Sequence, residues 1–140
     1  LQNTVSRVER LTKKDHILVI TEESHVEHVY KQLDNIDRKN ILVEPGRRGT
    51  ASCVLMGLSH IKKSGLPQDE PIIFLWADHL IRDNEGFTAS ALRAGELSKG
   101  ENKLVFIGVK PTYPATGFNY IKQDGPVDGC FHTFHLEKFT

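Results

Sequence analysis

Four short apolar runs punctuate the first 110 residues and limit the fold more than any other feature of the chain. They are Ile17-Leu18-Val19-Ile20, Ile41-Leu42-Val43, Ile72-Ile73-Phe74-Leu75-Trp76 and Leu104-Val105-Phe106-Ile107-Gly108-Val109. Continuous apolar runs without polar alternation suit strands covered on both faces, the pattern of parallel sheets. The stretches around them carry helical spacing: Leu1, Val5 and Val8; Val26, Val29 and Leu33; Ala51, Leu55 and Leu58; Phe87, Ala91 and Ala94. Helix alternating with strand predicts an α/β fold, a mostly parallel sheet with helices on both faces. Thr21 is the expected N-cap of the second helix, with Glu22 and Glu23 in its first turn, where negative charge is favoured. The third helix is expected over 52–63. After Pro111 the texture changes. Residues 111–117 read as a loop, and 118–122 and 130–138 as two strands around the turn residues Asp124-Gly125-Pro126.

A length of 140 residues suits one domain over 1–140. The charge is balanced, 18 basic against 18 acidic residues, which leaves no electrostatic footprint for nucleic acid or an anionic membrane. No apolar run approaches the roughly 20 residues that span a bilayer. The two cysteines, Cys53 and Cys130, are far apart and make no metal-like pair, so a reducing cytoplasm is the expected compartment. The chain starts at Leu1, not Met, and stops just after an alternating segment. A fragment of a longer protein is the expectation, with a processed chain as the alternative.

Three constellations could carry chemistry. Glu44-Pro45-Gly46-Arg47-Arg48-Gly49-Thr50-Ala51 joins an expected strand to an expected helix. Ligands of open α/β sheets bind at that carboxyl edge, and the following helix's free N–H groups favour an anion. The stretch is neither a Walker A loop nor a G-x-G-x-x-G fingerprint. A carboxylate only accepts hydrogen bonds. Guanine offers two adjacent donors, N1–H and N2–H, so Glu44 can take it with both oxygens, with Arg47 or Arg48 on phosphate or bracing the loop. The alternative is a solvated turn with Thr50 as a helix cap.

Asp78 follows the buried-looking run 72–76 and is the candidate ligand for Mg²⁺, which one or two carboxylates plus substrate phosphates typically hold. The alternative is a helix or turn cap. His79 reads as a structural or supporting group rather than a base, and Asp83 as a loop or helix-start residue. The third group is Thr116-Gly117-Phe118-Asn119-Tyr120 with His135-Leu136-Glu137-Lys138. Neighbours on a strand point to opposite faces, so on spacing alone Glu137-Lys138 is a solvated strand end. His25, His28, His60 and His132 make no metal spacing.

Taken in order, these motifs resemble the mannose-1-phosphate guanylyltransferases. That family carries E-P-x-x-R-N-T-A, A-D-H, G-I-x-P-x-x-P-x-T-G-Y-G-Y-I and F-x-E-K-P. The matches are Glu44, Pro45, Arg48, Thr50 and Ala51; Ala77, Asp78 and His79; Gly108, Pro111, Pro114, Thr116, Gly117, Tyr120 and Ile121; and Glu137-Lys138. They run through nearly the whole chain.

The resemblance implies a Rossmann-like nucleotidyltransferase fold, here incomplete. It also implies the reaction of GTP with mannose 1-phosphate to give GDP-mannose and pyrophosphate, with Mg²⁺. By resemblance, Glu44 and the Thr50 region hold guanine and Asp78 binds Mg²⁺. Gly117 to Tyr120 (Asn119 among them) and Glu137 contact the mannose, and Lys138 meets its phosphate. This reverses the spacing-only reading of Glu137-Lys138. A homodimer is also what the family suggests.

The family's opening loop, G-G-x-G-T-R-L-x-P-L-S, has no counterpart in this sequence, nor do the later strands with a second acidic metal ligand. A chain of 1–140 alone is therefore expected to be a poor catalyst. Gly49 stands where the family has Asn, Trp76 where a small residue or Pro is usual, Asn119 where it has Gly, and Phe139 where it has Pro. These departures leave open another sugar 1-phosphate, or a non-catalytic nucleotide-binding or regulatory relative.

Overall fold

The computed structural model describes residues 1–67, 69–130 and 132–140, with Glu101 through its backbone alone. Two compact units are present, Leu1–Val105 and Phe106–Thr140.

The first unit runs α1 (Gln2–Val8), β1 (Val19–Glu22), α2 (Val26–Gln32), β2 (Ile41–Glu44), α3 (Thr50–Lys63) and α4 (Asn84–Glu101), with three short 3-10 turns between. β1 and β2 pair in parallel, in the register Val19↔Ile41 to Glu22↔Glu44. A parallel pair needs a crossover, and α2 lies within the one that joins them. The core gathers Val5 and Val8 of α1, Ile17, Val19 of β1, Val29 of α2, Leu33, Ile36 and Ile41 of β2. The helical spacings of the first two helices are thus the faces that pack. Phe87 and Ala91 of α4 are buried as well. No helix among the described residues is long and apolar enough to cross a membrane.

Several expected elements came out differently. Thr21 is not a cap: it lies within β1 beside Val43, and Glu22 closes the strand. The chain then makes a 3-10 turn, Glu23–His25, before α2. The third helix starts two residues early, at Thr50, and Gly49 occupies its N-cap with φ 81° and ψ 173°. That backbone region is essentially open to glycine alone.

The helix face expected to pack, Ala51, Leu55 and Leu58, points outward, with Leu55 66% exposed. α3 approaches the sheet through Gly57 instead, where a Cβ would sit 3.2 Å from Cδ1 of Ile20. Helix propensity favours Ala over Gly by about 1 kcal/mol, and the Ile20 methyl can rotate aside, so Gly57→Ala should be close to neutral. Gly57→Val adds two methyls at the contact and should cost about 1–3 kcal/mol through overpacking. Urea unfolding of the two variants checks both signs.

The runs 72–76 and 104–109 were expected as buried strands, and neither forms a ladder among the described residues. Ile72, Ile73, Phe74 and Trp76 are 40–52% exposed, and only Leu75 packs against the core. A strand covered on both faces needs hydrogen-bonding neighbours at its edges. Among the described residues the parallel sheet contains β1 and β2 alone.

The second unit is an antiparallel pair, β3 (Ile121–Pro126) and β4 (Phe134–Phe139), with register shifts at Lys122/Gln123 and between Gln123 and Pro126. Asp124-Gly125-Pro126 therefore lies in an irregular strand rather than forming the turn. The turn comes later: Val127 N–H donates to Thr133 O at 2.9 Å, and Gly129 and His132 adopt positive φ. That turn displaces the start of the last strand from 130 to 134. Phe131, inside the expected strand, lies outside the described residues. Phe106 meets Phe139 edge to face at 5.2 Å. The element order as a whole remains α/β with a small partial parallel sheet.

Candidate functional site

In a parallel pair, registered residues project on the same face. Glu22 and Glu44 are such partners, and they end their strands together. Two carboxylates abreast repel unless a cation separates them. The loop after β2 supplies one. Arg47 Nε lies 2.9 Å from Glu22 Oε2. His25 Nδ1 is 3.1 Å from Glu22 Oε1, and Ser24 donates its hydroxyl to the same oxygen at 3.0 Å. Glu22 thus holds one guanidinium, one imidazole and one hydroxyl.

Glu44, half-buried, takes none of these groups. The Cys53 thiol, in the first turns of α3, lies within its electrostatic reach. Burial first, and then the Glu44 carboxylate, push that thiol up from its ordinary range. Cys53 therefore stays protonated at neutral pH. Arg47 pairs with Glu22, and among the described residues no guanidinium pairs with Glu44.

The rest of the loop is open. Pro45, Arg48, Thr50 and Ala51 are all exposed. Thr50 is the first residue of α3, not its cap, and no side chain caps that helix. Ser52 and Cys53 N–H donate to Gly49 O at 3.1 and 3.4 Å, which leaves the N–H groups of Thr50 and Ala51 for an anion.

Asp78 sits with Ala77 in an exposed turn. Thr4 of α1 donates its hydroxyl to Ala77 O at 3.2 Å, fastening that turn to α1. His79 stacks on Trp76 with ring centroids 5.8 Å apart. Asp83 caps α4 by accepting from Gly86 N–H at 2.8 Å. Among the described residues no three His, Cys, Asp or Glu side chains gather into a metal-binding group. The hard oxygens of one exposed carboxylate fit a magnesium ion that takes its remaining ligands from phosphates and water.

In the second unit the structure brings Gly117–Tyr120 beside the end of β4. Tyr120 and Thr140 exchange backbone hydrogen bonds of 2.8 and 2.9 Å. The Tyr120 hydroxyl accepts from Ala115 N–H at 2.7 Å and donates to Ala115 O at 3.1 Å, which pins the Thr116-Gly117 turn. Glu137 pairs with Lys122 at 2.8 Å. Lys138 stands across the ladder from Lys122. Gly117 and Asn119 are exposed.

Glu22 and Cys53 are the site residues that the sequence reading missed. A motif scan weighs Glu44 by its neighbours in the chain, whereas Glu22 reaches the site only through the β1–β2 register. The signal was present in one respect: Glu22 and Glu44 each come within two residues of the end of an apolar run.

Comparison with known proteins places these features. The Nucleotidyl transferase family matches residues 1–139. The chain is similar to the mannose-1-phosphate guanylyltransferase RfbM of Salmonella typhimurium, 34% identical over 88% of this chain and 26% of that protein. The mannose-1-phosphate guanylyltransferase of Salmonella montevideo is 36% identical over 99% of the chain and 30% of its own length. That of Escherichia coli K12 is 31% identical over 88% and 26%. The chain thus spans between a quarter and a third of the length of these relatives. No solved structure matches it significantly. With a family match from end to end of its helix–strand order, this chain belongs to the nucleotidyl transferase family.

Proposed function

We propose that the chain forms part of a guanylyltransferase that joins GTP and mannose 1-phosphate into GDP-mannose, releasing pyrophosphate. The observation that carries the reading is the division of labour at the carboxyl edge of β1 and β2. Glu22 holds Arg47, and Glu44 keeps its acceptors for a ligand with paired donors. Guanine has such a pair on its N1 and N2 edge. The relatives named for mannose 1-phosphate supply the second substrate of the proposal.

In this reading Glu44 selects the base, while Pro45, Arg48, Thr50 and Ala51 shape the loop around it. Asp78 holds Mg²⁺, which when bound neutralises charge on the phosphates. Gly117, Asn119, Tyr120 and Glu137 receive the sugar, and Lys138 its phosphate. Tyr120 acts through the turn it pins, since its hydroxyl is engaged with Ala115. The deciding assay gives the full-length protein GTP, Mg²⁺ and mannose 1-phosphate and follows pyrophosphate. Absence of release with any sugar 1-phosphate defeats the proposal.

A second reading, a nucleotide-binding relative without turnover, draws on Asn119, exposed where the resembled family has glycine. It requires GTP binding without pyrophosphate release.

The Glu22–Arg47 pair gives a further expectation. Glu22→Gln frees Arg47 to compete for the Glu44 carboxylate, and GTP affinity should fall about threefold, the scale of an exposed ion pair. Arg47→Ala in the same chain should restore it. A loss that Arg47→Ala leaves in place would mean that Glu22 acts on the fold rather than on the arginine.

A further inference from the structure

Arg7 is the least comfortable charge in the first unit. It lies on α1 and is only 5% exposed. Its Nε–H donates to Asn84 Oδ1 at a long 3.3 Å, and its guanidinium carbon stands 5.5 Å from the centroid of the Phe87 ring. A guanidinium has five N–H donors. These two contacts use one of them and supply no negative charge. Among the described residues no carboxylate pairs with it. A buried charge without a counterion is costly, and native structures answer that cost with a partner.

Arg7 also lines an open cleft of about 300 Å³. Asn3 and Ser6 line it from α1, Arg10 from the turn that follows α1, and Asn84 from the start of α4. Leu80 and Ile81 make its apolar wall. The lining thus offers two guanidiniums, a hydroxyl and two amides, and no carboxylate. The volume is at the lower end of small-molecule sites. It exceeds what a bare ion needs, and the apolar wall gives the rest of a ligand a surface.

We propose that this cleft binds the phosphate group of a small phosphorylated molecule, with Arg7 as the deep partner and Arg10 as the outer one. Arginine suits this role because its planar fork meets two phosphate oxygens at once. The occupant would touch Leu80 and Ile81, which follow directly on the Asp78-His79 turn. The inference does not depend on Glu44 or on guanine. Its support is a buried guanidinium that faces a cavity.

The test is calorimetric titration of the full-length protein with inorganic phosphate and with pyrophosphate, at constant ionic strength set with chloride. Saturable binding is expected. Arg10→Ala, at an exposed position, should weaken it about fivefold, and Arg7→Lys, which keeps the charge but loses the fork, about tenfold or more. Glu44→Gln should leave it unchanged, which separates this site from the base-reading loop. If Arg7→Lys fails to fold, Arg10→Ala decides alone. Heats that do not saturate overturn the proposal. So does binding that survives Arg10→Ala, or citrate binding as tightly as phosphate.

Discussion

Asp78→Ala should lower pyrophosphate release from GTP and mannose 1-phosphate by about a hundred- to a thousandfold while leaving the fold intact. The two halves of that expectation have separate causes. Asp78 is exposed in a turn, and no hydrogen bond or ion pair of its side chain exists among the described residues. Substitution there removes no packing, and unfolding in urea should shift by no more than about 0.5 kcal/mol, as for ordinary surface changes. The loss in turnover follows from the charge the residue is proposed to bring to the metal. Metal stabilisation of phosphoryl oxygens amounts to several kcal/mol, and each 1.4 kcal/mol is about tenfold in rate. Turnover within about threefold of the parent, under saturating Mg²⁺, would remove Asp78 from the site.

The second large effect belongs to Glu44. Glu44→Gln keeps the shape but replaces one acceptor oxygen with an N–H donor, which then faces a donor of guanine. Hydrogen bonds to a charged group contribute about 1.5–3 kcal/mol each, so GTP affinity should fall about ten- to a hundredfold. ATP binding has no such pair to lose and should change little, so the preference for GTP falls by the same factor. Competition titrations with GTP and ATP measure it. An equal loss for both nucleotides would show that Glu44 supports the loop without reading the base. Cys53 enters as a control. Cys53→Ala removes the thiol near Glu44 and should move GTP affinity far less than Glu44→Gln does.

Much of the first unit was legible from periodicity because its helices are amphipathic and its first two strands pair with each other. Val5 and Val8, and Val29 and Leu33, are in the core where their spacing placed them. The carboxylate at the end of β2 was legible too, since a charged turn after an apolar run marks the ligand edge of an α/β sheet. Leu55 and Leu58 misled the reading because helix α3 approaches the sheet through Gly57, a residue that hydrophobicity patterns ignore. Ile72 to Trp76 misled it differently. Apolar content says what a strand wants to bury, but a ladder also needs partners for each backbone N–H and C=O, and the run itself does not encode those.

The sequence by itself determined the class of the chain: the alternation of helix and strand through β2 and α3, the family, and the carboxylate and acidic turn that a nucleotide site would use. All of these are written in local spacing and in motifs of a few residues. The tertiary structure decided which charges neutralise one another. Glu22 takes Arg47 because parallel register sets it beside Glu44, and the chain then chooses the pairing of least repulsion. Arg7 faces a cleft because α1 lies against the start of α4 and covers the rest of its side chain. Electrostatic pairing acts across a few ångströms of space. Residues 22 and 47, or 7 and 84, come within that range only after the chain has folded.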